Sequence, residues 1–220
     1  KQKIIKYYQI DDVCNSTLIH NIINENKVLY NNITKEDDIL LIIDNSPSSF
    51  LLLILIDTLF PENSVTVFNY GNKNTCYIKD LCDKLEMNFT NFNNNYILNS
   101  KLHLYTHGLK KICNDQKYNH CFTNINNDDY IMLLHESIYL DKYSNNLNDI
   151  IYQKHEDVNV YNPLCNIKYE TIREILDDNN FVIENVKELY YLYNENDYMY
   201  IFWRDNIIKK YKELCNCKED

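Results

Sequence analysis

The chain has 220 residues, a formal net charge of −10, 45% hydrophobic residues, and only 2 Gly and 3 Pro. That length suits one domain with a sizeable core, and the apolar content excludes a disordered chain. Two glycines exclude collagen-like repeats, Gly/Ser linkers, an intact Walker loop and a dinucleotide fingerprint, while the acidic balance argues against a free-standing nucleic-acid binder.

Alanine is absent, Arg173 and Arg204 are the two arginines, and roughly one residue in six is Asn. The depleted types have GC-rich codons and the abundant ones AT-rich codons, so mutational drift accounts for the bias. Each position therefore draws on a narrowed alphabet, and propensity carries less weight.

Thr17 to Tyr30 places Leu18, Ile19, Ile22 and Ile23 at helical spacing. Ile39-Leu-Leu-Ile-Ile43 is a uniformly apolar run, the mark of a strand buried on both faces. Asp44-Asn-Ser-Pro47 is a turn, and Ser48 to Phe60 predicts a buried helix. Ser64 to Phe68 predicts a strand, and Lys73 to Met87 a helix carrying Ile78, Leu81, Cys82 and Leu85. Tyr96 to Leu98 is a short apolar piece before a helix expected from about Lys101 to Ile112. His120 to Thr123 predicts a strand, followed by an Asn-rich loop and a helix from Asp128. Val158 to Tyr161 predicts another strand, Tyr169 to Asp178 a helix, and the Tyr-rich stretch 189–203 precedes a basic helical end.

Strand–helix alternation with buried strands predicts an α/β fold with a doubly wound parallel sheet. Ligands in such folds sit beyond the carboxyl ends of strands, here the loops after Ile43, Phe68 and Thr123. The apolar run Phe50 to Ile56 is far short of the ~20 residues of a membrane span. No secretory signal is visible from Lys1, and 8 irregularly spaced Cys suggest reduced thiols in a cytoplasmic protein.

Three strand exits have the residues for chemistry, the last being Tyr161 to Leu164, which stops at proline and restarts as a helix with Glu170 and Glu174. In Asp44-Asn45-Ser46-Pro47-Ser48-Ser49 a strand feeds a helix start, where N–H groups and the dipole favour an anion. Plain capping reads the same residues as Ser46 at the cap, Pro47 at the first helical position and Ser48 and Ser49 as bystanders. Thr123 to Asp129 repeats the arrangement, with Asn127 or Asp128 as cap, or with Asp128 and Asp129 on Mg²⁺ or a ribose. His103 and His107 stand at i, i+4 but lack a third ligand at zinc spacing, and Cys215-x-Cys217 is one pair where zinc needs four donors.

Taken in order, the serine loop, Tyr70-Gly71, Leu81-Cys82, Thr123 to Asp129, Asn162-Pro163-Leu164 and Ile172 to Ile175 resemble the PP-loop ATP pyrophosphatases that modify tRNA. That family grips pyrophosphate with Ser-Gly-Gly-x-Asp-Ser. It flanks the adenylation site with Thr-Gly-His-Asn-x-Asp-Asp and leads into a late helix with Arg-Pro-Leu. Here Asn45-Ser46 replaces Gly-Gly, Ser48 replaces Asp, Asn124-Ile125 replaces Gly-His and Asn162 replaces Arg. Within the family the likeness is greatest to the non-catalytic second subunit of cytoplasmic tRNA 2-thiolation complexes, through Pro47-Ser48-Ser49, Arg204 to Lys209 and the Cys215/Cys217 pair.

The resemblance implies a Rossmann-like PP-loop domain over 1–220, with a helical N-terminal segment (1–35) and a C-terminal extension (190–220). It implies a vestigial nucleotide site at Ser46, Ser48, Ser49, Thr123, Asp128 and Asp129, with no catalytic residue and no resident cofactor. Loss of glycine makes close approach to a pyrophosphate costly. The Cys-x-x-Cys of thiolating members has no counterpart in Leu104 to Lys111, and nothing marks Cys113 or Cys121 as activated. The implied partners are a catalytic PP-loop thiolase subunit and tRNA, with Lys110, Lys111, Arg204, Lys209 and Lys210 as RNA contacts and neither DNA nor membrane involved. Two alternatives stay open: an active enzyme using ATP and Mg²⁺ through Ser46, Ser48, Ser49 and Asp128, and an interaction protein without an RNA role.

Overall fold

Five consecutive Ile and Leu residues, all buried, form β1 (Ile39–Ile43). Their alternation splits the core in two. Ile39, Leu41 and Ile43 join one apolar cluster, and Leu40 and Ile42 join the other. A strand without a polar face has to be covered on both sides, and here helices cover both.

The computed structural model describes residues 16–70, 75–91, 108–139, 150–155, 157–178 and 206–209. After α1 (Thr17–Tyr30) and β1 come α2 (Pro47–Leu59), β2 (Val65–Asn69), α3 (Thr75–Lys84) and β3 (Asn88–Asn91). Then follow α4 (Leu109–Gln116), β4 (His120–Thr123), α5 (Asn127–Tyr139), β5 (Tyr152–His155), β6 (Val158–Tyr161) and α6 (Tyr169–Asp178). The sheet order is β3-β2-β1-β4-β6-β5. Helices α1, α2, α3 and α6 pack on the first cluster; α4, α5 and Ile207 pack on the second. This is the expected doubly wound α/β fold.

Two strands depart from the expectation. β3, Asn-Phe-Thr-Asn, is a largely exposed edge strand with no apolar run to announce it. β5 pairs antiparallel with β6, so the sheet is mostly rather than wholly parallel. Both are edge strands, which bury less and so need fewer apolar residues. The helix expected from Lys101 begins, among the described residues, at Leu109; the Tyr96 to Leu98 piece, His103 and His107 lie outside those residues. Among the described residues no helix is long and apolar enough to cross a membrane.

At the amino end of the sheet, His120 stacks on Tyr161 at 6.0 Å, with Nδ1 3.2 Å from the Tyr161 hydroxyl. Its Nε2 lies 3.9 Å from the Asp37 carboxylate. Burial holds the imidazole pKa below its ordinary value, with Asp37 pulling weakly the other way. A depressed histidine pKa gives stability that is complete above the unfolded value of about 6.5 and is lost as pH falls through the folded value. The melting temperature is therefore expected to fall on acidification below pH 6.5, and His120→Gln to flatten that part of the profile. Thermal melts at matched ionic strength check it; an unchanged slope in the variant contradicts the assignment.

Candidate functional site

The chain winds outward from β1 to β3, then returns to β4 on the other side of β1. β1 and β4 are thus parallel neighbours, with Ile42 beside Thr123, and their exits diverge to helices on opposite faces. This is the switch point of an open α/β sheet, where a crevice forms. The two loops with chemical residues, 44–49 and 124–129, both line it.

Asp44 organises the first loop. Its Oδ1 accepts from the Ser46 backbone N–H at 2.8 Å, the Ser49 hydroxyl at 3.0 Å and the Asn124 amide at 2.6 Å. The carboxylate supplies negative charge at the start of α2, where the dipole and unpaired N–H groups favour an anion. Pro47 takes the first helical turn as expected, since the missing N–H costs nothing there. Ser46 occupies the cap position, yet its side chain makes no capping bond. Its hydroxyl instead accepts from Asn124 Nδ2 at 3.0 Å.

Ser48 and Ser49 are not bystanders. Both are fully buried and tied to the opposite loop: Asn124 Nδ2 donates to Ser49 Oγ at 2.9 Å, and Asn126 Nδ2 to Ser48 Oγ at 2.9 Å. Two asparagines therefore lace the crevice shut across some 75–80 residues of chain. Asn45 adds a third stitch, accepting from Asn69 Nδ2 at 3.0 Å at the end of β2.

The cap of α5 is Asn126 rather than Asn127 or Asp128. Asn126 Oδ1 accepts from the Asp129 N–H at 2.9 Å, and Asp129 Oδ2 lies 3.5 Å from the Asn126 N–H, a reciprocal pairing. Asp128 turns away to cap α6, accepting from the Tyr169 N–H at 2.7 Å. Thr123 donates to Asn162, and Asn162 donates to the Ile150 carbonyl, joining β4 to the β6 exit. The structure thus gathers Ser46, Ser48, Ser49, Thr123, Asp128 and Asp129 at one end of the sheet, with every one of them engaged in a contact within the chain.

The residues missed by sequence reading are Asp44 as the loop's anchor and Asn124 and Asn126 as the lacing. Asn124 stands where the resembling family has glycine, and that substitution was the available signal.

Four described cysteines, Cys82, Cys113, Cys121 and Cys165, are free and buried. Burial pushes the Cys82 and Cys165 thiols up to about 12 and raises Cys121 well above its ordinary value. Thiols so protonated are poor nucleophiles. Among the described residues no group of three or more His, Cys, Asp or Glu is placed to hold a metal ion. Lys111 and Lys209 are exposed on helical pieces that pack in the same layer. The side chain of Lys110, together with Arg204, Lys210, Cys215 and Cys217, lies outside the described residues.

No protein-family model matches the chain, and no curated protein matches it. Among solved structures it is similar to the U34-tRNA thiolase NcsA from Methanococcus maripaludis, solved with its 4Fe-4S cluster. The TM-score is 0.54 at 11% identity, over 94% of this chain and 77% of that one. At this identity the likeness is one of fold.

A pyrophosphate entering this crevice would displace the Asn124 and Asn126 contacts and meet the Asp44 charge. The loop offers no glycine to wrap a phosphate with backbone N–H groups.

Proposed function

We propose that this protein is a non-catalytic PP-loop subunit of a complex that 2-thiolates the wobble uridine of cytoplasmic tRNA. It supports a catalytic thiolase subunit and helps present tRNA, itself binding neither nucleotide nor a resident metal. The similarity to a U34-tRNA thiolase supports the PP-loop and thiolation parts of this reading. The observation that carries the non-catalytic part is the lacing of Ser46, Ser48 and Ser49 to Asn124 and Asn126, with Asp44 in the anion position. Lys111 and Lys209 are the described basic residues proposed to touch RNA; Lys110, Arg204 and Lys210 complete the set. With a net charge of −10, most phosphate neutralisation falls to the partner.

Two measurements test the reading. Purified protein titrated with ATP·Mg²⁺ in a calorimeter is expected to give no heat of binding; micromolar affinity that Ser48→Ala abolishes would establish the active-enzyme alternative instead. Co-expression is expected to recover a PP-loop thiolase together with tRNA, and depletion to lower 2-thiouridine. Unchanged 2-thiouridine on depletion would sink the thiolation role.

A further inference from the structure

Helix α1 is held to the molecule differently from α2. In α2 every residue from Pro47 to Ile56 is buried. In α1 the buried residues are Ile19, Ile22, Asn26 and Tyr30, one per turn along a single stripe. Two of these bring polar groups into the contact. The Asn26 amide donates to the Ile22 carbonyl of its own helix at 2.9 Å, so that bond does nothing to fasten α1 to its neighbours. Tyr30 is 7% exposed, and among the described residues its hydroxyl is the buried side-chain polar atom without a hydrogen-bond partner. Its ring packs well, edge-on to Phe60 at 6.0 Å and to Tyr161 at 5.7 Å, and tilted on Phe122 at 5.7 Å. The ring therefore favours the docked helix and the hydroxyl opposes it, because a phenol O–H that loses water on burial and gains no acceptor is penalised.

The chain on either side of α1 lets it move as one piece. Ser16 caps the first turn, its Oγ accepting from the Ile19 N–H at 3.3 Å, so the helix carries its own stop there. At the other end the anchor lies beyond Ile33. Asn63 Nδ2 donates to the Thr34 carbonyl at 2.7 Å and to the Asp37 carbonyl at 2.9 Å. The Asp37 carboxylate accepts from the Thr34 N–H at 2.7 Å and the Thr34 hydroxyl at 2.9 Å. Asn31, Asn32 and Ile33 join the helix to this fixed point through a turn in which the Ile33 N–H donates to the Tyr30 carbonyl at 3.0 Å. With two soft dihedrals per residue, they form a hinge between a capped helix and an anchored loop.

We propose that α1 is a releasable cover, which swings away about residues 31–33 ahead of global unfolding and bares the aromatic face of Phe60, Phe122 and Tyr161. The Tyr30 hydroxyl sets how often it opens, since it regains water bonds in the open form alone. Conformational switches are drawn from such low-stability units. The device rests on neither the laced crevice nor the thiolation reading.

The test is hydrogen exchange of the full chain, followed by nitrogen-15 NMR at several low urea concentrations. The amides from Ile22 to Tyr30 are expected to exchange on the order of 100-fold faster than those of β1 and β4, with a weaker dependence on urea. Tyr30→Phe keeps the ring and removes the unpaired hydroxyl, so it is expected to slow exchange about tenfold along the whole helix, Ile22 and Ile23 included. Exchange in α1 no faster than in β1 and β4 overturns the proposal, since the helix then opens only with the whole molecule. Slowing confined to the residues beside Tyr30 overturns it too, as fraying rather than release. Exchange that Tyr30→Phe leaves unchanged or speeds up overturns the role of the hydroxyl and the proposal with it. None of these results bears on ATP or thiolation, so the two readings fail separately.

Discussion

Replacing Asn124 by Ala is expected to destabilise the protein by about 3 kcal/mol, lowering the melting temperature by roughly 6–12 °C. The side chain is 1% exposed and its amide protons serve Asp44 at 2.6 Å, Ser49 at 2.9 Å and Ser46 at 3.0 Å. The bond to the carboxylate is charge-assisted, worth about 1.5–3 kcal/mol by itself, and its loss leaves Asp44 with two of the three donors described here. Ser46 Oγ and Ser49 Oγ each lose a neutral donor, and two amide protons are shared among three acceptors, so these bonds add less. Asn124→Asp is expected to be worse, because two carboxylates then face each other and cannot both ionise cheaply. Part of its deficit should return as the pH falls and one carboxyl takes up a proton, whereas the deficit of Asn124→Ala should not. Urea denaturation of both variants at two pH values checks this. A loss under about 0.5 kcal/mol for Asn124→Ala would show that the lacing contributes little.

Phe122→Ala is expected to cost about 4 kcal/mol. Phe122 is fully buried on β4, stacked on Tyr161 with ring centres 4.7 Å apart and an interplanar angle of 23°. Tyr30 and Phe60 each approach it at 5.7 Å, so helices α1 and α2 and strands β4 and β6 meet at this ring. Truncation removes the transfer free energy, opens a cavity among rings too large to collapse into it, and forfeits the aromatic pairing. Phe122→Leu keeps much of the volume and is expected to lose about 1–1.5 kcal/mol. The comparison separates volume from ring geometry: equal losses in both variants would mean that stacking, not cavity formation, sets the cost. Denaturant midpoints with unchanged slopes are the measurement.

These two residues also show how far a sequence reaches. Phe122 belongs to the run His120-Cys-Phe-Thr123, readable as a buried strand because it is apolar and bounded by polar loops. Asn124 sits in an Asn-rich loop of a chain in which Asn is so common that only its place opposite the resembling family's glycine distinguishes it. The helix Tyr169–Asp178 and the strand Ile39–Ile43 were legible to the residue, since burial on one stripe or on two faces leaves a period in the sequence. β3 and β5 leave no such period, being short edge strands of mixed polarity.

The α2 assignment held in position, with Ser46 at the cap and Pro47 in the first turn, while the α5 cap fell on Asn126, which the sequence did not single out. A cap is set by which side chain reaches a free N–H, and Ser46, Asn126, Asn127 and Asp128 are all good caps by type. Tertiary contacts chose among them: Ser46 was drawn off to Asn124, Asp128 to the start of α6, and Asn126 was left to pair with Asp129.

By itself the sequence determined the fold class and the buried strands with the helices that cover them, since hydrophobic periodicity is a local property. Its family-like order of motifs also pointed to the PP-loop fold. Only the tertiary structure decided what the loops after β1 and β4 do. β1 and β4 are some 80 residues apart in the chain and neighbours in the sheet, so the bond from Asn124 to Asp44 exists only once the strand order is set. That bond sets the Asp44 carboxylate at the start of α2 and ties together the two loops that the sequence marks as a ligand site.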